Sequence, residues 1–374
     1  MSTVLKAADS AEFLGLVPAL AGFTPRESLV LVPFQHKRAH GAMRIDLPRD
    51  HARIDDYVDS AVGLLSRVSG LDAMAAVVYT DELPLHTPDG LVLPQTIAVE
   101  ELLAVAVSTG LRVVDALCVM PSGWSSYLDD DPQLGPLDEI PLPPPVPDLP
   151  DVSADQDAGT GLPAVDLAER ERVGAALRDL DEVLQFDGPR RGERENPQAL
   201  AAAVMLDDLP MFFEMMIEHP DGPPPFATAA LLWCLDRPAL RDAALLQWAT
   251  DLATGIRAYD AQIAYSATGR AVPDDLGQML IGTGDAPDPE RLRSSLALMR
   301  AVAARAPRAS RPAPLTLAAW TSWALGRSSH AQHYLDAARE IDPDYSLAQL
   351  VNTLVDVSVL PEWVFRRGGS EEIG

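Results

Sequence analysis

Apolar residues along the first third of the chain alternate between the spacing of strands and the spacing of helices. Unbroken runs of β-forming residues, such as Ser28–Phe34, predict buried strands, whereas apolar residues at every third or fourth position, as in Ile54–Val68, predict helices. The predicted order is α-β-β-α-β-α-β. Its helices are 12–21, 54–68 and 95–108, and its strands are 28–34, 42–47, 73–79 and 111–120.

This order predicts one small α/β sheet. Helical crossovers join strands 42–47, 73–79 and 111–120, so these three should be parallel to one another with right-handed connections. A hairpin joins 28–34 to 42–47, so the first strand should be antiparallel and lie at or near an edge. Residues 1–128 are therefore expected to form an α/β domain, with helices packed on a small mixed, mostly parallel sheet.

The second half of the chain keeps the helical spacing almost throughout. Pro, Gly and Asp separate its apolar segments, and no strand pattern of similar strength occurs. An all-α domain is predicted over 164–364, either a bundle or a stack of helical hairpins. Its predicted helices are 170–186, 199–205, 210–217, 226–235, 239–265, 291–305, 315–325, 329–341 and 346–357.

A Pro- and Asp-rich stretch separates the two predicted domains. Residues 129–163 contain few side chains that can pack, which is typical of an extended linker or excursion. A second polar break is predicted at 187–197. Residues 365–374 are predicted to form a flexible tail.

The net charge of the chain limits the classes of partner that we expect it to bind. The chain has 374 residues and a formal charge of −26, from 55 acidic and 29 basic residues, and such a chain repels a nucleic-acid backbone. Its densest basic cluster, Arg190, Arg191 and Arg194, is interleaved with glutamates and is typical of a polar linker. No apolar run is long enough to span a membrane, and no signal peptide is recognisable. A cytoplasmic protein is expected, with neither nucleic acid nor membrane as partner.

The sequence contains no motif that assigns a metal site, a cofactor site or a catalytic nucleophile. Cys118 and Cys234 lie in apolar surroundings and indicate buried small side chains, since a disulfide framework or thiolate site needs more cysteines. His330 and His333 have a spacing that could ligate a metal, but the sequence places no further ligand beside them. The Gly-rich segment 282–285 lacks the lysine of a phosphate-binding loop. No cofactor, metal site or catalytic residue is therefore predicted.

A polar site is predicted where the strands end. In a mostly parallel sheet, ligands bind beyond the carboxyl ends of the strands. Carboxylate, hydroxyl and guanidinium groups that meet there could bind a polar small molecule or perform acid–base chemistry. For each residue taken singly, a polar turn or a helix cap is the commoner role. The residues that follow the strands are Asp46, Arg49, His51, Thr80, Asp81, Ser122, Trp124, Ser125, Ser126 and Tyr127.

A tetratricopeptide-like helical hairpin is predicted near the end of the chain, because small and apolar residues recur there at the spacing of that repeat. The residues at this spacing are Gly326, Ala331, Leu335, Ala338 and Pro343. One repeat cannot form a solenoid, so the hairpin either offers a groove to a partner or merely completes the core, the reading we favour. A Met/Phe cluster over 205–216 is a second candidate surface. The partner-binding candidates are Trp320, Trp323, Met215 and Met216.

Three sets of motifs carry a family resemblance. They are Phe13–Val32 with Met43–Pro48, Val114–Val119 with Trp124–Tyr127, and Leu317–Trp320 with Gly326 and Asp342–Ala348. These motifs resemble an actinobacterial family, domain of unknown function 4192. The resemblance implies an actinobacterial cytoplasmic protein and brings no established activity. It covers Arg44, Asp46, Ser126 and Tyr127, whereas Leu128–Pro132 replaces a cysteine-containing segment of the family.

Two hypotheses of function follow. The leading one is a non-catalytic interaction or regulatory module that engages a protein partner through its helical half. The alternative is an enzyme or small-molecule sensor with a polar site at the carboxyl ends of the strands. A third reading makes both halves one core in a structural subunit. The ligand-binding candidates of the alternative are Arg44, Asp46, Thr80, Asp81, Ser125, Ser126 and Tyr127.

Overall fold

The computed structural model confirms an α/β region followed by a largely helical half. It describes residues 7–21, 23–39, 41–48, 53–68, 70–88, 90–142, 159–185, 196–356 and 360–366. These residues form two compact units, an α/β unit that reaches residue 142 and a helical unit over residues 159–364.

The α/β unit contains the predicted strands and helices together with two hairpins that the sequence pattern did not predict. Its elements are α1 (Ser10–Ala21), β1 (Ser28–Gln35), β2 (Arg38–Ala39), β3 (Met43–Asp46), α2 (Ile54–Ser66), β4 (Ala73–Tyr79), β5 (Leu85–Thr87), β6 (Gly90–Val92), α3 (Thr96–Ser108), β7 (Arg112–Met120) and β8 (Gly123–Ser126). Strands β5 and β6 pair as a separate hairpin, and β8 returns antiparallel along β7.

The sheet is mixed, and β1 lies inside it. Its order is β2-β1-β4-β7-β8, with β3 also paired to β1. The expectation that β1 is antiparallel and lies near an edge is confirmed, because β1 is hydrogen-bonded to the edge strands β2 and β3 on one side and to β4 on the other. Strands β3, β4 and β7 run in the same direction, as predicted, but only β4 and β7 are paired in parallel among the described strands. Burial explains the order, since Leu29–Val32 are buried on both faces whereas β3 carries two charges.

Helices cover both faces of the sheet. Leu31, Val78 and Cys118 belong to one apolar cluster, which includes residues of α2 and α3. Val30 and Leu117 belong to a second cluster, which includes residues of α1. Neighbouring residues of β1 therefore alternate between the two clusters, as the pleat of a strand requires.

Residues 129–142, which the sequence assigns to the Pro- and Asp-rich segment, lie against the α/β unit. Gly135 exchanges two backbone hydrogen bonds with Trp124, at 2.9 and 2.8 Å. A Cβ atom at Gly135 would lie 2.6 Å from the indole Nε1 of Trp124, so the close approach requires glycine. Ile140 packs against the same apolar cluster as α1. Residues 143–158 of the predicted linker lie outside the described residues.

The described residues of the helical unit are mostly helical. Its elements are α4 (Leu167–Gln185), α5 (Pro197–Met205), α6 (Leu209–Ile217), α7 (Pro225–Leu235), α8 (Pro238–Ala249), α9 (Leu252–Thr268), α10 (Asp274–Leu280), α11 (Pro289–Arg305), α12 (Pro312–Ala324), α13 (Ser328–Ile341), α14 (Ser346–Asp356) and α15 (Glu362–Arg366). The single helix predicted over 239–265 is wrong. It breaks at Asp251, whose carboxylate accepts a hydrogen bond of 2.7 Å from the Thr254 amide and so caps α9.

Helix α12 is the centre of the helical core. Every residue from Pro312 to Ala324 is buried, and α12 packs closely against α11 and α13. A helix that is buried all round is enclosed on every side. Helices α7, α11, α13 and α14 pack against α12, so surfaces for binding do not belong to α12.

Candidate functional site

At the carboxyl end of β4, the predicted residues Thr80 and Asp81 both bind Glu27. Thr80 is buried, and its hydroxyl donates a hydrogen bond of 3.1 Å to Oε1 of Glu27. The same carboxylate oxygen accepts a hydrogen bond from the amide of Asp81. Arg26 lies 3.7 Å from the Asp81 carboxylate. Glu27 was not predicted, because it precedes β1, and only residues that follow a strand were considered; the antiparallel pairing of β1 with β4 brings it to the end of β4.

Arg44 and Asp46 lie on β3 and form an ion pair with each other. They are two residues apart on a strand and so lie on the same face of the sheet. The register places Ser28 opposite both Asp46 and Tyr79, which brings the ends of β3 and β4 to the same edge as the start of β1. Arg49 and His51, the other residues predicted after β3, lie outside the described residues.

Ser125, Ser126 and Tyr127 do not join this group. They lie on or beside β8, which runs back along β7, so Ser126 is opposite Leu117 and well before the end of β7. The Ser125 hydroxyl donates to the Gln133 carbonyl at 2.8 Å, and the Tyr127 hydroxyl donates to the Pro94 carbonyl at 2.6 Å. The expected convergence of all seven ligand candidates at one edge is therefore wrong.

The interior around Tyr127 is unsuited to proton transfer near neutral pH. Burial raises the pKa of the Tyr127 hydroxyl, and the neighbouring Cys118 and Glu82 raise it further. Burial also raises the pKa of the Cys118 thiol, to about 12, against a smaller opposing effect of its hydrogen bond with Tyr127. Both groups stay protonated at neutral pH, so Cys118 is not an activated nucleophile.

Trp320 and Trp323, two of the partner-binding candidates, lie in the core of the helical unit. Trp320 is 1% exposed and Trp323 is 0% exposed. The indole Nε1 of Trp320 donates to the Leu280 carbonyl at 2.9 Å, and the ring of Trp323 packs edge-on against Trp363. Placing them on a partner surface was wrong in this structure, because α12 is enclosed on every side.

Met215 and Met216, the other two candidates, line a cleft in the helical unit. The cleft has a volume of about 700 Å³ and lies between α4, α5, α6 and the start of α7. Its buried lining is apolar and comprises Ala176, Ala202, Met216 and Ala227. Met215 is 38% exposed, so its thioether is accessible to solvent.

Polar side chains of both signs surround this apolar floor. Asp179 on α4 accepts a hydrogen bond of 2.8 Å from the Asn196 side chain, which joins α4 to the start of α5. Arg172 is exposed beside it and pairs with Glu169 at 2.5 Å. His219 is exposed at the end of α6. The cleft therefore combines an apolar floor with a charged rim, as binding grooves for apolar side chains do.

The walls of this cleft carry little signal in the sequence. Most of the α4 and α5 residues that line it are alanines or ordinary polar residues, such as Ala201 and Gln198. Only the methionines of the Met/Phe cluster, Met205 on α5 with Met215 and Met216 on α6, mark it. The cleft exists because small side chains on α4 and α5 leave space beside longer ones on α6.

Among the residues that the structure describes, no group of three or more His, Cys, Asp or Glu side chains is placed to hold a metal ion. None of the described helices combines the length and the apolar character needed to cross a membrane.

Comparison with known proteins gives one family. The model of the family described as domain of unknown function (DUF4192) matches residues 11–362. This match confirms the family resemblance of the sequence motifs. No curated protein and no solved structure matched the chain.

Proposed function

The chain belongs to the DUF4192 family, and we propose that it is a non-catalytic binding module whose helical unit takes up an amphipathic helical segment of a partner protein. The segment would lie in the cleft between α4, α5, α6 and the start of α7. The observation that carries the proposal is the apolar floor of the cleft beside the accessible thioether of Met215.

The chemistry of the floor favours a helical segment over a small molecule. Small-molecule sites orient their ligand with a few convergent polar groups. The buried floor residues Ala176, Ala202 and Met216 offer none. An amphipathic helix needs only apolar anchors at three- and four-residue spacing, and its polar face can meet the charged rim. Methionine side chains adapt to such anchors because they are unbranched and polarisable.

A matched pair of methionines tests the proposal. Met215 and Met211 are both on α6 and are 38% and 46% exposed, but only Met215 lines the cleft. A displayed library of amphipathic helical peptides would be selected on the full chain, and the enriched peptides would be measured by fluorescence anisotropy. We expect Met215→Glu to weaken binding by about tenfold or more, since it places a charge against the apolar anchors.

Met211→Glu adds the same charge to the same helix and should leave the affinity unchanged. Library selection without an enriched peptide, or equal loss in both variants, would contradict the proposal. Thermal unfolding of both variants shows whether each is folded at the assay temperature.

The remaining features of the proposal rest on sequence motifs. We take α12 and α13 to be a tetratricopeptide-like hairpin. Gly326 turns the chain between them with a φ of +81°, and Ala331, Leu335 and Ala338 are buried on α13. We further propose an actinobacterial, cytoplasmic protein that has no nucleic-acid partner, in keeping with its charge of −26.

The polar residues at the ends of β3 and β4 support the alternative, an enzyme or small-molecule sensor, less well. Arg44 pairs with Asp46, and Glu27 binds both Thr80 and Asp81. A ligand would have to displace these contacts before it could bind them.

A further inference from the structure

Two arginines from different elements are fixed at the end of α11. The guanidinium Nε of Arg170, on α4, donates a hydrogen bond of 3.2 Å to the Ala304 carbonyl. The Nε of Arg311, just before α12, donates one of 3.1 Å to the Ala306 carbonyl. Each guanidinium is anchored through Nε, which leaves its two Nη groups to bind something else.

The neighbouring arginines are neutralised by carboxylates, but these two are not. Arg305 lies 3.4 Å from Glu169, and Arg308 lies 3.1 Å from Glu340. In the parts of the chain that the structure describes, no carboxylate forms an ion pair with Arg170 or Arg311. The carbonyls that hold Arg170 and Arg311 are only two residues apart, so two positive charges without an ion-pair partner lie beside the end of α11, in a chain whose formal charge is −26.

The electrostatics of Arg311 agree with this geometry. Burial lowers the pKa of its guanidinium, and the positive charges of Arg170 and Arg308 lower it further. Like charges at close range raise the energy of the ligand-free protein, and an anion bound between them would remove that cost.

The end of α11 does not supply enough negative charge to balance the pair. The carbonyl end of a helix acts as roughly half a negative charge. Arg170 and Arg311 together carry two positive charges, so an excess of more than one remains. Guanidinium groups bind oxyanions through paired N–H groups, and two of them match the charge of a phosphate group.

We propose that Arg170 and Arg311 form a binding site for a phosphate group, supplied either as inorganic phosphate or as a small phosphate monoester. The site lies between α4, the end of α11 and the start of α12. It shares no residue with the lining of the α4–α7 cleft, so it is independent of the proposed peptide binding.

Isothermal titration calorimetry at constant ionic strength tests the site. Inorganic phosphate and phenyl phosphate are titrated separately into the full chain, with acetate as the singly charged control. We expect saturable binding of inorganic phosphate, phenyl phosphate or both, and none of acetate. Binding of phenyl phosphate alone assigns the site to monoesters, whereas binding of inorganic phosphate alone assigns it to the free ion.

Arginine variants locate the binding. Arg170→Gln and Arg311→Gln should each weaken phosphate binding by about tenfold or more, because each removes charge-assisted hydrogen bonds. Arg178→Gln removes the same positive charge from an exposed position of α4 outside the proposed site. It should have no effect on phosphate binding. Arg311→Lys keeps the charge but loses the paired N–H groups, so an intermediate affinity is expected.

Clear results would overturn the proposal. These are the absence of saturable phosphate binding to the wild-type chain, or binding that Arg170→Gln and Arg311→Gln leave unchanged. Thermal unfolding identifies any variant that fails to fold. Because Arg170 and Arg311 lie on separate elements, the test still stands if one of the two glutamine variants does not fold. Met215→Glu should bind phosphate normally, which separates this test from that of the cleft.

Discussion

The guanidinium of Arg291 holds the carboxylate of Glu214 with two hydrogen bonds of 2.8 Å, Nη1 to Oε1 and Nη2 to Oε2. This pair joins α11 to α6. Gln247 on α8 donates a hydrogen bond of 2.9 Å to the same carboxylate. Three helices that are distant in sequence therefore meet at Glu214. The hydrogen bonds from Arg291 lower the pKa of the Glu214 carboxyl, and that from Gln247 adds to the effect.

Glu214→Gln should destabilise the helical unit by about 1–2 kcal/mol at neutral pH, since it replaces charge-assisted hydrogen bonds with neutral ones. The side chains of Arg291 and Glu214 are 22% and 24% exposed. Solvent therefore weakens the ion pair, and the expected loss of stability is modest. Urea unfolding followed by tryptophan fluorescence measures it. All tryptophans except Trp124 belong to the helical unit, so the signal reports mainly on that unit.

The same variant has a defined pH dependence. Because the pKa of folded Glu214 lies below its ordinary value of 4.5, its stabilising effect is present above pH 4.5 and is lost as the pH falls through the folded pKa. The difference in unfolding free energy between wild type and Glu214→Gln should therefore shrink below pH 4.5. A difference that stays constant down to the acid transition would contradict this role of the ion pair.

Replacing two helical glycines with alanine should change the stability of the helical unit in opposite directions. A Cβ atom at Gly255 on α9 would lie 2.5 Å from Cβ of Gln247, closer than real Cβ atoms approach. Gly255→Ala should therefore destabilise the unit by about 1–3 kcal/mol despite the better helix propensity of alanine. Gly277 on α10 has nothing within 4 Å of such a Cβ, so Gly277→Ala should stabilise by up to about 1 kcal/mol.

Urea unfolding of both glycine variants checks these opposite signs. If Gly255→Ala were neutral or stabilising, the close packing of α8 against α9 would be disproved. Gly277→Ala is the control for the general effect of alanine in a helix of this unit.

The sequence pattern predicted most elements of the fold and a place for β1 near the edge, but not that β1 pairs with β4. The hairpin between β1 and β3 established that these strands are antiparallel. It did not say which strand lies on the other side of β1, because strand pairing depends on contacts distant in sequence. The buried run Leu29–Val32 was the available signal for an interior position. The break at Asp251 was missed for a related reason, since the apolar spacing continues through the cap.

The candidate site was predictable only in part. The Met/Phe cluster led to Met215 and Met216, because clustered methionines are visible in a sequence. Trp320 and Trp323 were assigned to a surface, although α12 is apolar on all sides, a pattern that indicates full burial. The arginine pair Arg170 and Arg311 could not be foreseen, since residues far apart in the chain come together only when α4 packs near the end of α11.

A half-buried carboxyl in the α/β unit should weaken that unit at neutral pH. Asp115 on β7 accepts a hydrogen bond of 2.7 Å from the Ser10 hydroxyl at the start of α1. Burial raises the pKa of Asp115, with a smaller contribution from the charge of Asp129, against the hydrogen bonds of Ser10 and Ala116. A raised folded pKa means that the stabilising effect is present below the unfolded value of 3.8 and is lost as the pH rises through the folded pKa.

Asp115→Asn keeps the shape and removes the charge. It should slow hydrogen exchange of the α1 amides at pH 7, because it removes the cost of burying the charged carboxylate. This difference in exchange rate between Asp115→Asn and wild type should disappear in more acidic buffer, once Asp115 of the wild type is protonated. Ser10→Ala is the complementary variant and should speed exchange in α1, since it leaves the half-buried carboxylate with one hydrogen bond fewer. Exchange in Asp115→Asn that is equal to or faster than wild type at pH 7 would show that the Ser10 contact outweighs the cost of burial.

The two cysteines should report separately on the opening of the two units. Cys118 lies in the α/β unit and Cys234 in the helical unit, and both are buried. Burial raises the pKa of each thiol to about 12, so the native protein presents almost no thiolate at neutral pH. In the single-cysteine variants Cys234→Ser and Cys118→Ser, a thiol-reactive disulfide reagent should react far more slowly than with a free thiol. Glu214→Gln should speed the labelling of Cys234 and leave that of Cys118 unchanged, because the ion pair belongs to the helical unit. Equal acceleration of both thiols would mean that the two units open as one.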